Sequence, residues 1–154
     1  MADLDITIKE SINLNNTSYG SVKTKTYANI TDVFKRVFTL PADTEVNLYT
    51  TDASQTQGNV FDKDSIQYVR ITNVETVTAL NLQITQGTTA GVVWIQIPAG
   101  DSFILGSHSS AMDANAGALA LASISLGDIT QVDASGNAAS AQIELFVAST
   151  INAI

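Results

Sequence analysis

Apolar residues recur at every second position over much of the chain, most clearly between Gln67 and Gly106. From Thr78 to Gln86, Leu80, Leu82 and Ile84 alternate with Asn81, Gln83 and Thr85. A period of two sends successive side chains to opposite faces of a strand, so this run predicts a strand with one apolar face. Gly87-Thr88-Thr89-Ala90-Gly91 supplies turn residues, and Val93, Ile95 and Ile97 then alternate with Val92, Trp94 and Gln96. Two such runs joined by about five residues containing Gly predict an antiparallel hairpin. Pro98 has no N–H for a ladder and ends the second run, and Ile97-Pro98-Ala99-Gly100 suits a β-turn with Pro in its second position. Phe103 to Leu105 is a third run. Upstream, Gln67 to Thr72 is β-branched and aromatic, with Asn73 read as the turn residue after it.

The rest of the chain reads the same way. Leu4, Ile6 and Ile8 share a face, Ile12 and Leu14 keep that phase, and Asn13 to Gly20 forms a polar loop, which predicts an edge strand or an arm over residues 1–16. Ser21 to Ile30 alternates Val22, Thr24, Thr26, Ala28 and Ile30 against Lys23, Lys25 and Tyr27; lysines on one side suit solvent or a guarded edge. Thr31 to Leu40 fits both periods. Val33, Phe34, Val37 and Phe38 make a helical stripe, but its β-branched and aromatic content and the stop at Pro41 favour a strand, at the cost of Arg36 on the face of Phe34, Phe38 and Leu40. Glu45 to Thr51 alternates around Val46 and Leu48. Asp52 to Asp64 is a long polar loop with an apolar spot at Val60-Phe61, and Ser107 to Gly117 is a second long loop. Ala118 to Leu126 is a run of small and apolar residues. Ile129 to Val132 and Ala141 to Val147 read as a last hairpin around Asp133-Ala134-Ser135-Gly136-Asn137, and Ala148 to Ile154 is a short tail.

Nine or ten short strands without a helix predict an all-β fold, an antiparallel β-sandwich of jelly-roll type in a single domain over residues 1–154. Its expected core includes Leu80, Leu82, Ile84, Val93, Ile95, Ile143, Leu145 and Val147.

Composition narrows the function classes. The 154 residues are 45% hydrophobic, enough to bury a core and too many for a disordered chain. No apolar run approaches the ~18 residues of a membrane span, so no membrane partner is expected. The start, Met1-Ala2-Asp3-Leu4-Asp5, lacks the basic and apolar segments of a signal peptide. Asn15-Asn16-Thr17-Ser18 and Asn29-Ile30-Thr31 match glycosylation acceptors, to which no role is assigned without that signal. Without cysteine there is no disulfide and no thiol chemistry. The net charge of −8 is uneven. All seven Lys and Arg lie in residues 1–70 beside nine acids, whereas residues 71–154 hold Glu75, Asp101, Asp113, Asp128, Asp133 and Glu144 and no base. Nucleic acid needs a cationic face, so it is excluded as a partner. The acidic half reads as a solvated surface, or as one that attracts a basic partner.

Candidate chemistry is sparse. His108 lies among Ser107, Ser109 and Ser110, near Asp101 and Asp113, but nothing resembles a nucleophile elbow. Asp62-Lys63-Asp64 and Asp133 to Asn137 could offer oxygens to calcium, yet both lack the required spacing and suit turns better. Glu10, Glu45, Glu75 and Glu144 are scattered, so no glycosidase pair can be argued. Trp94, Tyr19, Tyr27 and Tyr49 could stack on a sugar, although core packing is the default for Trp94. No catalytic, cofactor-binding or metal-ligating residue is expected, and no cofactor.

Three pieces carry a resemblance: Glu10-Ser11-Ile12 with Asn15 and Tyr19-Gly20; Tyr68-Val69-Arg70-Ile71-Thr72-Asn73; and Ile97-Pro98-Ala99-Gly100-Asp101-Ser102-Phe103. Together they resemble small all-β virion proteins of tailed bacteriophages, which include jelly-roll capsid decoration (cement) proteins and neck and tail components. The resemblance implies a non-enzymatic virion structural protein that decorates or cements a capsid, found in the virion and in the host cytoplasm before assembly. Its expected partners are the major capsid or another virion protein and further copies of itself, with Ile6, Ile8, Ile12 and Leu14 as an apolar stripe that a neighbour covers. The alternatives are a neck or tail component, or a carbohydrate-binding or adhesin module using the loops 52–64 and 107–117.

Overall fold

A computed structural model describes residues 1–53, 58–87, 91–105 and 129–150. The expected features at His108, Asp113, Asp128, the loop 107–117, the run 118–126 and residues 151–154 lie outside the described residues. The strands in chain order are β1 (Ala2–Lys9), β2 (Ile12–Leu14), β3 (Thr17–Tyr19), β4 (Val22–Ile30), β5 (Asp32–Leu40), β6 (Glu45–Asp52), β7 (Val60–Asp62), β8 (Ile66–Asn73), β9 (Leu80–Gln86), β10 (Gly91–Ile97), β11 (Ser102–Leu105), β12 (Ile129–Gly136) and β13 (Ala141–Ser149). No helix is found among the described residues. The ambiguous segment 31–40 is a strand. Arg36 keeps the parity expected of it but stays exposed, because β5 is an edge strand and the guanidinium can lie over the Phe38 ring at 4.9 Å.

One sheet has the order β11-β8-β13-β5 and the other β10-β9-β12-β6-β7. The chain passes back and forth between them, which places β12 and β13 between strands from earlier in the chain. That is the jelly-roll order, and the all-β sandwich is as expected. Only β7 departs from it, pairing parallel to β6 at Thr50–Val60 and Asp52–Asp62.

The inner faces bury Leu80, Leu82 and Ile84 from β9, Leu40 and Phe38 from β5, Leu48 from β6 and Ile143, Leu145 and Val147 from β13, with Val93 and Ile95 packed at the margin. Each comes from an alternating run, and removing that apolar area from water is the main term holding the sheets together.

Four local expectations change. The 129–147 segment is not a hairpin: β12 and β13 lie in opposite sheets, so the connection after Gly136 crosses the sandwich. Asp133 is therefore no turn residue but sits inside β12, 3% exposed, beside a bulge against β6. Phe61, read as an apolar spot in a loop, is buried against Phe34 and Tyr49. The Pro98 turn is displaced by one residue. The Asp101 N–H donates to the Pro98 carbonyl at 3.2 Å, and Gly100 has φ +77°, a left-handed conformation that glycine adopts freely.

Asn73 is also more than a turn residue. It ends β8 fully buried, and its Nδ2 reaches the carbonyls of Thr78 (2.8 Å), Ile97 (3.0 Å) and Pro98 (3.0 Å). Its Oδ1 accepts from the Glu75 N–H at 3.0 Å. One amide thus fixes the loop after β8 to the turn after β10, satisfying carbonyls that burial would otherwise leave unpaired.

Candidate functional site

Two surfaces stand out, a hairpin arm and the outer face of the five-stranded sheet. The arm is built from β1 to β4. Leu4 faces Tyr27, Ile6 faces Lys25, Ile8 faces Lys23, Ile12 faces Tyr19 and Leu14 faces Thr17, all in one continuous antiparallel register. The polar stretch expected to be a loop is a two-residue turn, Asn15-Asn16, with φ +51° and +62°. Positive φ at both central positions is the type I′ hairpin geometry, and asparagine tolerates it. Gly20 lies so close to the Glu10 carbonyl that a Cβ there would collide with it. The two strands stay joined at that point by the Glu10 N–H donating to the Ser21 carbonyl at 2.8 Å.

Directly opposed residues share a face, so the arm is amphipathic. Its apolar face carries Leu4, Ile6, Ile8, Ile12 and Leu14 with Tyr19, Lys23, Lys25 and Tyr27. Its other face carries Asp5 with Thr26 (2.5 Å) and Thr7 with Thr24 (2.9 Å). Only the proximal third is covered. Tyr27, Ile30, Leu4 and Ile6 pack on Tyr68, Ala148 and Phe146, on the outside of the four-stranded sheet. The rings of Tyr27 and Tyr68 are 5.8 Å apart, and Lys25 Nζ sits 4.6 Å from the Tyr27 ring. A bulge at the base, where Asn29 has φ +62° and its N–H reaches Asp3 Oδ1 at 3.3 Å, sets how the arm leaves the sheet. Every residue from Thr7 to Thr26 is exposed, so about 25 Å of ribbon extends past the last contact.

Beside the arm's base, Glu144 accepts from Arg70 Nη2 at 2.6 Å and pairs with Lys35 Nζ at 3.1 Å. These bonds, the Lys35 contact first, hold its carboxyl below the usual range. Burial pushes the Tyr68 hydroxyl up.

The outer face of the five-stranded sheet is polar apart from its β10 margin. Register aligns Trp94, Gln83, Asp133 and Asn47 in one row across β10, β9, β12 and β6. The row on one side is Gln96, Asn81, Ser135 and Glu45; on the other it is Val92, Thr85, Gln131 and Thr50. Asp133 accepts from Gln131 Nε2 at 2.7 Å and from Asn47 Nδ2 at 2.9 Å, and Asn59 Nδ2 holds the Asn47 oxygen at 2.8 Å. Trp94 is 58% exposed, against the core default expected for it. The alternation puts it on the face opposite Val93 and Ile95, and at β10 no described residue covers that face.

The other residues weighed from the sequence do not converge. Tyr49 is fully buried and Tyr27 sits at the arm's base, while Tyr19 is exposed near the tip. Asp62 makes a turn, accepting the Asp64 N–H at 2.9 Å. Among the described residues no three His, Asp or Glu side chains gather as a metal site. A groove of about 210 Å³ between β10 and β11, floored by Ile95, Ile97 and Phe103, is below the size that encloses an organic cofactor.

No family model matches the chain, and no curated protein matches it. Among solved structures, it is similar to a chain from Bacillus endospore appendages, described as a novel family of disulfide-linked pili. The identity is 17%, the match covers 80% of this chain and 90% of that one, and the TM-score is 0.44, a level that carries no functional argument. That likeness is to a pilus chain and not to the phage virion proteins that were expected. The expectations of a capsid decoration role, a capsid partner and a virion location are therefore withdrawn. The physical reason is visible in the three pieces that carried the resemblance. They are the Glu10–Ser21 junction of the arm, the central strand β8 and the turn after β10, and all three are hairpin, strand and turn chemistry open to many antiparallel sandwiches. Disulfide linkage does not transfer to this chain either, because it has no cysteine.

Proposed function

We propose that this chain is a structural subunit that associates non-covalently with copies of itself, each hairpin arm lying on a neighbouring sandwich. The observation that carries this is the distal apolar stripe. Ile8, Ile12, Leu14 and Tyr19 are each more than half exposed on a ribbon that leaves its own body. Charge supports a second copy as the partner. Residues 8–25 hold Lys9, Lys23 and Lys25 against Glu10, net +2, while the remainder of the chain is −10. A cationic, apolar ribbon is complementary to that body and is repelled less by it than another body would be.

Magnitudes favour reciprocal arm contacts. Covering the exposed half of four such side chains contributes roughly 1 kcal/mol each, while association costs at least about 4 kcal/mol. One arm alone breaks even. Two arms per contact, as in a symmetric exchange, or several contacts per subunit in a fibre, give a stable assembly. Unpaired ribbon edges add backbone hydrogen bonds when they meet another strand.

The test is sedimentation equilibrium of the full chain beside an Ile8→Ser/Ile12→Ser/Leu14→Ser variant. Assembly of the parent and a monomeric variant with an unchanged melting temperature is expected. A parent that stays monomeric at its solubility limit, or a variant that assembles equally well, would falsify the proposal.

A further inference from the structure

We infer that the outer face of the five-stranded sheet, anchored at Trp94, binds a neutral, extended glycan chain. This surface is separate from the arm and does not depend on how the arm is used.

An indole is large and flat, and leaving it 58% exposed forgoes much of its burial energy. A pyranose ring offers a matching partner, one face of C–H groups that stacks on an aromatic ring and a rim of hydroxyls. The row Trp94-Gln83-Asp133-Asn47 supplies both needs in order: the indole at β10, the Gln83 amide on β9 and the part-buried Asn47 amide on β6, spanning about 15 Å at the usual strand spacing, with Asp133 buried between them and bonded to the neighbouring Gln131 amide. That length holds a short run of sugar rings lying flat.

The polar groups are of the right kind. A sugar hydroxyl is both donor and acceptor, and so is a carboxamide. The amides of Gln83, Asn81 and Gln96 make no side-chain hydrogen bond among the described residues, so they are available to a ligand. The end of the row at Asp133 is held rigid by Gln131, Asn47 and Asn59, which lowers the ordering cost of binding.

Charge selects among glycans. The three rows contain no lysine or arginine and include Asp133 and Glu45. A phosphorylated or acidic polysaccharide would meet the exposed Glu45 and the negative charge of Asp133 beneath the surface with no cation to pair with, so the ligand is neutral. An extended peptide would pair with a strand edge rather than lie across a face of side chains.

Trp94 is the only tryptophan, so emission excited at the red edge of the indole band, where the four tyrosines do not absorb, reports on this site alone. The probes are cellohexaose and chitohexaose, with a polygalacturonate fragment as the acidic control. A saturable change in emission with a neutral hexasaccharide, and none with the acidic one, is expected. By calorimetry, Trp94→Ala should weaken binding about tenfold or more, equivalent to ~1.4 kcal/mol, and Gln83→Ala should weaken it less. Both variants should melt like the parent, because neither side chain belongs to the core. The triple arm variant should bind the glycan normally, which separates this inference from the proposed assembly. Unchanged emission with both neutral probes overturns it. So does undiminished binding in Trp94→Ala, or loss of self-association in that variant without loss of glycan, which would make Trp94 an assembly contact.

Discussion

Ile12 and Tyr19 face each other across the distal arm, and both are more than half exposed. Cross-strand apolar pairs normally add to a sheet's stability by being covered; here they are covered only by each other. The pair exists because the Asn15-Asn16 turn sets the register. Replacing both asparagines by alanine keeps the Cβ but removes the carboxamide whose local hydrogen bonding makes left-handed backbone tolerable, a conformation other L-residues resist by up to about 1–2 kcal/mol each. Amide exchange should speed up throughout residues 9–22 and stay slow in β8, β9 and β13. Asn16→Gly should restore protection, and equal exchange in all three proteins would show that the turn does not hold the ribbon.

Asn73 is the tightest polar constraint in the sandwich. Asn73→Ala removes the donors to the Thr78, Ile97 and Pro98 carbonyls and should cost roughly 1–3 kcal/mol by urea denaturation. Asn73→Asp should be worse at neutral pH, because a carboxylate would face those carbonyl oxygens.

Core and outer positions on neighbouring strands should part company. Leu145 is fully buried on β13, and Leu145→Ala should cost about 2–5 kcal/mol. Val37 is half exposed on the outside of β5, and Val37→Ala should stay within about 0.5 kcal/mol. Equal losses at the two positions would mean that the outer face of β5 is covered in solution.

Glu144 gives the fold an acid sensitivity of known sign. Lys35 and Arg70 lower its folded-state value below the ordinary 4.5, so the native state binds this proton less readily than the unfolded chain. Its contribution is complete above pH 4.5 and is lost as the pH falls through the lower folded-state value. Stability measured by urea midpoint from pH 7 to pH 2 should therefore fall more steeply in the parent than in Glu144→Gln. Parallel curves would mean that the two cations contribute nothing through this carboxylate.

Much of the fold is legible along the chain because alternation is local. A residue's parity in a run fixes which sheet face it takes, so Leu80, Leu82, Ile84, Ile143, Leu145 and Val147 could be assigned to the core and Trp94 and Gln83 to one shared face. The strand at 31–40 and the phase from Ile6 to Leu14 follow from the same rule, as does the hairpin 80–97. Which of two faces meets water is a property of what covers it, and that belongs to the tertiary structure. Parity alone left Trp94 as readily buried as exposed. It could not show that β12 and β13 enter opposite sheets, which turned a supposed turn residue, Asp133, into the buried centre of an amide network. The roles of Asn73 and Phe61 escape parity for the same reason, since Ile97 and Pro98, and Phe34 and Tyr49, are distant from them in sequence. The arm shows both halves of the problem in one element. Its apolar stripe is written in residues 4 to 14, but only the way the ribbon leaves the sheet, through the bulge at Asn29 in β4 and the single residue Thr31 before β5, sends most of that stripe beyond the body that would otherwise have buried it.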